Sequence, residues 1–174
     1  MAEISYVHQH EQRGLGHAVL TARTVVGNEP FAVFLPDDLI WSDSPTISAM
    51  IELFSRYGSS VVAVNEVSDE VVSSKGVIAP VAIDERVSRI EAMVEKPARE
   101  DAPSRLAIIG RYVLTPDVFD ALKHVQPGAL GEIQLTDAIA MLLPTDKAYA
   151  YEFPGTYFDL GTPLGLLKAS IHVA

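Results

Sequence analysis

The stretch Phe31-Ala32-Val33-Phe34-Leu35-Pro36-Asp37-Asp38 decides how the rest of the chain is read. A continuous apolar run stopped by a proline and two carboxylates predicts a buried strand, central in a parallel sheet with helices on both faces. Pro36 marks the carboxyl end of that strand, because proline is poorly tolerated inside a helix or a central strand. Ligands of open α/β sheets bind outside this end. Asp37 is thereby placed at the mouth of a site, where a carboxylate can hold a divalent cation and, through it, phosphates. Taken alone, an Asp-Asp pair is more often a solvated turn.

On the carboxyl side, Ser44 and Pro45 open a helix whose Ile47, Met50, Ile51 and Phe54 share one face, and Gly58 closes it. The β-branched run Val61 to Val67 then completes a right-handed β-α-β unit begun at Phe31. From Lys75 to Val94 the pattern changes to a meander of shorter strands turning at Asp84-Glu85, which ends in Val94-Glu95-Lys96-Pro97. Ala98 to Arg105 is a polar loop, and Leu106 to Leu114 is a strand. Thr115-Pro116 starts a helix bearing Val118, Phe119 and Leu122, and Gln126 to Gly131 is a loop. Leu135, Ala138, Ile139 and Leu142 mark a further helix that Pro144 stops. Ala148 to Phe153 alternates as a half-buried strand, Gly155 to Thr162 is a loop around Asp159, and Leu164, Leu167 and Ile171 predict a last helix facing inward.

On the amino side, Ile4 to Val7 is a short strand that runs into Gly14-Leu15-Gly16, which opens a helix extending to Val26. A glycine turn before a helix lets backbone N–H groups approach a ligand. The third glycine of a dinucleotide fingerprint is missing, and two glycines before a helix are more often a plain loop.

The chain has 174 residues, 48% of them hydrophobic and 21% charged, which suits one ordinary domain with a real core. No cysteine is present, so disulfides and thiolate zinc sites are excluded, and the five histidines are scattered. The amino terminus lacks a signal-peptide pattern and no apolar run is long enough to span a membrane, so a cytoplasmic setting without membrane contact is expected. A formal charge of −10 argues against nonspecific nucleic-acid binding. A site for a small phosphorylated ligand must then invert the field locally, through a metal, a lysine or backbone N–H groups.

Read in order, Gln9 with Gly14-Leu15-Gly16-His17-Ala18-Val19-Leu20, Leu35-Pro36-Asp37-Asp38, Val94-Glu95-Lys96-Pro97, Ile109-Gly110-Arg111-Tyr112-Val113-Leu114, Gly131-Glu132-Ile133-Gln134-Leu135-Thr136-Asp137-Ala138-Ile139 and Phe158-Asp159-Leu160-Gly161 resemble the bacterial UTP-glucose-1-phosphate uridylyltransferases. The resemblance implies a Rossmann-like α/β/α sandwich of the nucleotide-diphospho-sugar transferase fold, with inserted sugar-binding strands. It implies an enzyme that makes UDP-glucose and pyrophosphate from UTP and glucose 1-phosphate with magnesium (Mg2+), and a homo-oligomer, dimer or tetramer. By the same resemblance Asp37 is the magnesium ligand, with Asp159 the second carboxylate near the metal and Asp38 a support. Gln9, Gly14 and Gly16 bind uracil, Glu95 accepts from glucose hydroxyls, and Lys96 reaches the sugar phosphate. Gly76 and the Ile108 backbone line the hexose pocket.

Two departures stand out: His10 follows the glutamine where the family has glycine, and Tyr157-Phe158-Asp159-Leu160 lacks the usual basic residue and cysteine. The family's opening glycine-rich Arg/Lys loop has no counterpart. The 174 residues are therefore expected to be one partial nucleotidyltransferase domain, the carboxyl-terminal part, with little turnover by itself. Two other readings stay open, a noncatalytic nucleotide-sugar binding module and a thymidylyltransferase or other hexose-1-phosphate nucleotidylyltransferase.

Overall fold

A computed structural model describes residues 3–128 and 131–174. Positions 1–2 of the amino terminus, and Ala129 and Leu130 of the loop expected over Gln126 to Gly131, lie outside the described residues. In chain order the elements are α1 (Leu15–Thr21), α2 (Arg23–Val26), β1 (Phe31–Phe34), β2 (Asp38–Trp41), α3 (Thr46–Tyr57), β3 (Ser60–Glu66), α4 (Asp69–Val72), β4 (Gly76–Ala82), β5 (Val87–Glu95), β6 (Leu106–Leu114), α5 (Val118–Leu122), α6 (Leu135–Leu142), β7 (Ala148–Glu152), β8 (Thr156–Asp159) and α7 (Pro163–Val173).

Six strands form one sheet in the order β1-β6-β3-β7-β5-β4, and β2 pairs with β8 in a separate ribbon. Alternation along β3 and β6 divides the core between the two faces. Val62, Val64, Ile108, Tyr112 and Leu114 pack under α1, α5 and α6, together with Phe119, Leu135 and Ile139. Val61, Ala63, Ile109 and Val113 face α3 through Met50, with Tyr149 and Phe153 beside them. The expected α/β/α layering is therefore present. Phe119 is 1% exposed and its ring stacks on Phe31 at 4.8 Å, so truncating it to alanine removes about 3–5 kcal/mol.

The sheet is mixed, not parallel. β3 and β7 run parallel, while β6 runs antiparallel to both β1 and β3. β1 is thus an edge strand of the described sheet, with alternating burial and Phe34 53% exposed, where the sequence predicted a central, fully buried strand. The apolar run is accounted for by its ends: Phe31 joins the α5 layer, and Leu35 packs on the same cluster after the strand has ended. The β-α-β unit from β1 to β3 exists, but β6 lies between its strands.

β4 pairs with β5 along its length and also reaches β6 at Val77↔Ala107. β1 joins the same edge of β6 from Arg111 onward. Ile108, Ile109 and Gly110 are left in a notch between β4 and β1. Within that interval β6 advances four residues, from Ile108 to Tyr112, while β3 advances two. Such a bulge bends a strand and re-aims its groups.

Several expectations change. Ile4 to Val7 forms no strand and is exposed, having no neighbour among the described strands to pair with. The helix expected from Leu15 to Val26 is interrupted at Ala22. On α3, Ile51 is exposed while Leu53 and Tyr57 pack inward with Ile47 and Phe54. β7 is buried on both faces at Ala148, Tyr149 and Ala150 because it is an internal strand flanked by β3 and β5. The stretch expected as a loop around Asp159 is the strand β8, held by Trp41↔Thr156 through Asp38↔Asp159.

Leu164, Leu167 and Ile171 of α7 are 60%, 56% and 69% exposed, not inward. The face turned to β8 is Gly165 and Ala169 instead, with the exposed His172 beyond them. Gly165 lies so close to the Asp159 carbonyl that a Cβ would collide with it, Ala169 is buried, and His172 meets the rings of Trp41 and Phe158. Small residues let the helix backbone sit directly on β8, and that close approach decided the rotation.

Candidate active site

The site is built where the Leu35-Pro36-Asp37-Asp38 turn crosses the notch in β6. Leu35 N–H donates to the Gly110 carbonyl at 2.9 Å, and Asp38 Oδ2 accepts from Gly110 N–H at 3.1 Å. A Cβ on Gly110 would lie 2.3 Å from Asp38 Oδ2 and 2.6 Å from the Leu35 Cβ, so only glycine admits the carboxylate. Arg111 clamps the turn, donating to the carbonyls of Leu35 (2.9 Å), Gly110 (2.8 Å) and Asp38 (2.6 Å). Burial pulls its pKa down while Asp38 and Asp37 push it up, and a guanidinium stays charged in that balance.

This construction sends the two neighbouring carboxylates in opposite directions. Asp38 is 5% exposed and accepts from the Tyr157 hydroxyl as well as from Gly110. Burial and that hydrogen bond raise the Tyr157 pKa far above the ordinary phenol range, so the hydroxyl remains a donor. Asp37 is exposed. Its carbonyl accepts from Leu160 N–H at 2.7 Å, which ties it to the end of β8. A Cβ on Gly161 would lie 3.2 Å from Asp37 Oδ2 and 3.1 Å from Asp159 Oδ1, so both carboxylates flank one glycine.

No cluster of three or more candidate metal-ligating side chains occurs among the described residues. Two carboxylates nevertheless fit magnesium, which keeps several waters and is commonly held by one or two carboxylates plus substrate phosphates.

A second group of residues begins across a cleft of about 110 Å³ lined by Asp38, Lys75, Gly76, Glu95, Ile108 and Thr136 among others. Gly76 pairs with Glu95 at the end of the β4–β5 ladder. Thr136 donates its hydroxyl to Glu95 Oε2 at 2.7 Å. A Cβ on Gly76 would lie 2.8 Å from Thr136 Oγ1, 3.0 Å from Glu95 Oε2 and 3.1 Å from Ile108 Cδ1, so this glycine makes the space into which those groups point. Glu95 also borders a wider cleft of about 350 Å³ with Lys96, Gln134 and Asp137, where burial raises the Asp137 pKa. Lys96 adopts φ 47°, and its N–H donates to the Lys75 carbonyl at 3.1 Å. A left-handed lysine costs on the order of 1 kcal/mol, and such strain gathers at functional positions.

The third group is the glycine turn. Gln9 donates its amide to the Gly14 carbonyl (3.1 Å) and meets His17 Nδ1 at 2.9 Å. Gly14 has φ 92°, and Gly16 N–H donates to the Ile133 carbonyl at 2.9 Å. These glycines admit the 132–134 backbone, and Leu15 and Gln134 from the same junction border the cleft.

The structure thus brings Asp37 with Asp159, and Gly76, Glu95 and Ile108 with one another. Gln9, Gly14 and Gly16 form a separate turn facing the cleft through Leu15. Sequence reading passed over Lys75, Arg111, Thr136 and Tyr157 as site residues. A signal existed for two of them: Lys75 directly precedes Gly76, and Gly110-Arg111 interrupts an otherwise apolar strand.

Comparison with known proteins bears on the family and the fold. A family model described as Nucleotidyl transferase matches residues 1–174. UTP–glucose-1-phosphate uridylyltransferase 2 of Staphylococcus saprophyticus is 49% identical over 174 residues, which is all of this chain and 60% of that protein. The chain therefore spans about three-fifths of the length of the curated relatives it matches. Among solved structures, a UDP-glucose pyrophosphorylase complexed with UDP-glucose superposes with a TM-score of 0.94 at 47% identity, covering 97% of this chain and 65% of that one. A UTP-bound UGPase from Acinetobacter baumannii gives a TM-score of 0.82 at 40% identity, covering 94% and 57%. With its whole length matched and its carboxylate turn and glycine-lined cleft set on a mixed α/β sheet, this chain belongs to the nucleotidyl transferase family.

Proposed function

We propose that the chain carries the metal carboxylates and the hexose pocket of an enzyme that transfers UMP from UTP to glucose 1-phosphate. A phosphate oxygen of the sugar would attack the α-phosphorus of UTP while the bond to the β-phosphate breaks and pyrophosphate leaves. Such a reaction asks for positioning and charge neutralisation more than for an acid or base. The observation that carries the reading is the shared wall at Asp38 and Lys75, with the Asp37–Asp159 pair on one side and the Glu95–Thr136–Gly76 pocket on the other.

In this reading Asp37 and Asp159 would hold magnesium, which supplies positive charge to the phosphates when bound. Glu95, oriented by Thr136, accepts from glucose hydroxyls, while Gly76 and Ile108 give the sugar room. Lys96 reaches toward the sugar phosphate from the strand end. Gln9, Gly14 and Gly16 flank the uracil, and Gln9 would exchange its Gly14 and His17 partners for the base. The cations at the described cleft are few, and Arg111 is occupied by carbonyls, so the 174-residue protein is expected to bind product better than triphosphate and to turn over little.

Thermal unfolding of the 174-residue protein with magnesium and UDP-glucose, dTDP-glucose or UTP tests the reading, since a ligand that binds the native state raises its stability. A selective rise with UDP-glucose is expected. No rise with any of the three, or an equal rise with dTDP-glucose, would remove the assignment.

A further inference from the structure

Lys75 stands one residue before β4, where Gly76 opens the hexose pocket. Its ammonium lies 2.7 Å from the Tyr157 hydroxyl, 3.6 Å from Asp38 Oδ1 and 4.0 Å from Asp159 Oδ2, with the side chain one-fifth exposed. Tyr157 donates to Asp38 and accepts from Lys75, so it fixes the amine at the cleft wall between the two halves of the site. One of the three contacts is a full hydrogen bond and the two carboxylate contacts are long. An ammonium has three donors, which leaves capacity for an incoming anion.

Charge points the same way. Asp37 and Asp159 flank Gly161, Asp38 lies against Lys75, and Arg111 donates to main-chain carbonyls. Lys75 faces the cleft instead. It supplies a cation beside a β8 strand whose own sequence, Thr156-Tyr157-Phe158-Asp159, offers none.

We propose that Lys75 is a phosphate-binding residue of this site, taking the sugar-linked phosphate of a nucleotide sugar from its place between the carboxylate pair and the hexose pocket. Tyr157 is its positioning residue. The proposal rests on the nucleotide-sugar reading above and assigns to Lys75 a contact that the sequence reading gave to Lys96 alone. The two lysines come from adjacent strand ends, joined by the Lys96 N–H to Lys75 carbonyl bond.

Calorimetric titration of the 174-residue protein with UDP-glucose and with UMP, both with magnesium, separates the possibilities, because UMP lacks the sugar-linked phosphate. Lys75→Met is expected to weaken UDP-glucose binding by about tenfold or more, the worth of one charge-assisted hydrogen bond, and to leave UMP within about twofold. Lys75→Arg should recover most of the loss. A purely structural lysine would weaken both ligands alike, and that result, or an unchanged UDP-glucose affinity, overturns the proposal. Tyr157→Phe gives an independent reading if Lys75→Met does not fold: a smaller loss confined to UDP-glucose is expected, and equal losses overturn it. Wild-type protein that binds neither ligand would instead bring down the functional reading on which this one stands.

Discussion

Gly110 and Gly16 are both buried, both lie where a Cβ would collide, and they do different work. At Gly110 the missing side chain admits a carboxylate, with Asp38 Oδ2 at 2.3 Å from where a Cβ would be. At Gly16 it admits main chain and a leucine, the Ile133 carbonyl at 2.8 Å and Leu122 Cδ2 at 2.7 Å. A glycine before a helix reads in sequence as a place for a ligand. Here the Gly16 N–H is already bonded to Ile133, and the glycines whose missing Cβ makes room for side chains at the cleft are Gly76 and Gly110, inside or at the end of strands.

The largest expected effect tests that contrast directly. Gly110→Ala should lower the unfolding free energy by about 3 kcal/mol, at the upper end of ordinary overpacking, because the colliding groups include the anchored Asp38. Gly16→Ala should cost less, about 2 kcal/mol, since the end of Leu122 can turn aside and the fixed Ile133 carbonyl lies farther off, at 2.8 Å against 2.3 Å for the Asp38 carboxylate at Gly110. Urea unfolding of both variants compares them, and a reversed order would show that the helix turn is the tighter junction.

The adjacent aspartates sharpen the comparison with a smaller effect. Asp38→Asn should cost about 2 kcal/mol of stability through its hydrogen bonds to Gly110 and Tyr157 and its contact with Lys75. Asp37→Asn, at an exposed position, should stay within about 0.5 kcal/mol and yet abolish the magnesium-dependent part of UDP-glucose binding. Similar stability losses for the two would contradict the division between anchor and ligand.

The smallest effect concerns the glycine-turn half, where Asp120 of α5 ties down Arg23 of α2. Hydrogen bonds from Lys123 and then Arg23 lower the Asp120 pKa from 3.8 to about 2. A folded-state pKa below the unfolded one adds stability that is present above about pH 4 and is lost as the pH falls toward 2. Asp120→Asn should therefore flatten the acid limb of the stability curve between pH 4 and 2, and the position is exposed enough that the change near neutrality is slight. An unchanged acid limb would show that this tie does not hold the half together.

Much of the architecture could be read from local pattern. The strand Leu106 to Leu114 has the observed bounds, Gly58 closes α3 in the left-handed conformation, and Leu135, Ala138 and Ile139 form the buried face of α6. Reading failed where a residue's fate depends on what approaches it. Within the segment expected as a loop from Gly155 to Thr162, Thr156–Asp159 became a strand because β2 lay beside it, and α7 turned its leucines outward because Gly165 and Ala169 sit flush on β8. Neither partner is visible in the segment itself.

The same division runs through the site. Sequence alone determined that a strand ends at Leu35-Pro36, that carboxylates follow, and that Val94-Glu95-Lys96-Pro97 ends a meander of shorter strands, since proline chemistry and apolar periodicity act over a few residues. Tertiary structure decided which carboxylate is buried and which faces solvent, and it brought Lys75 to Tyr157 and Asp159. The cause is the bulge in β6 and the return of β4 to its edge, which together open the notch that Asp38 fills. A bulge is a relation between two strands, so no single stretch of the chain contains it.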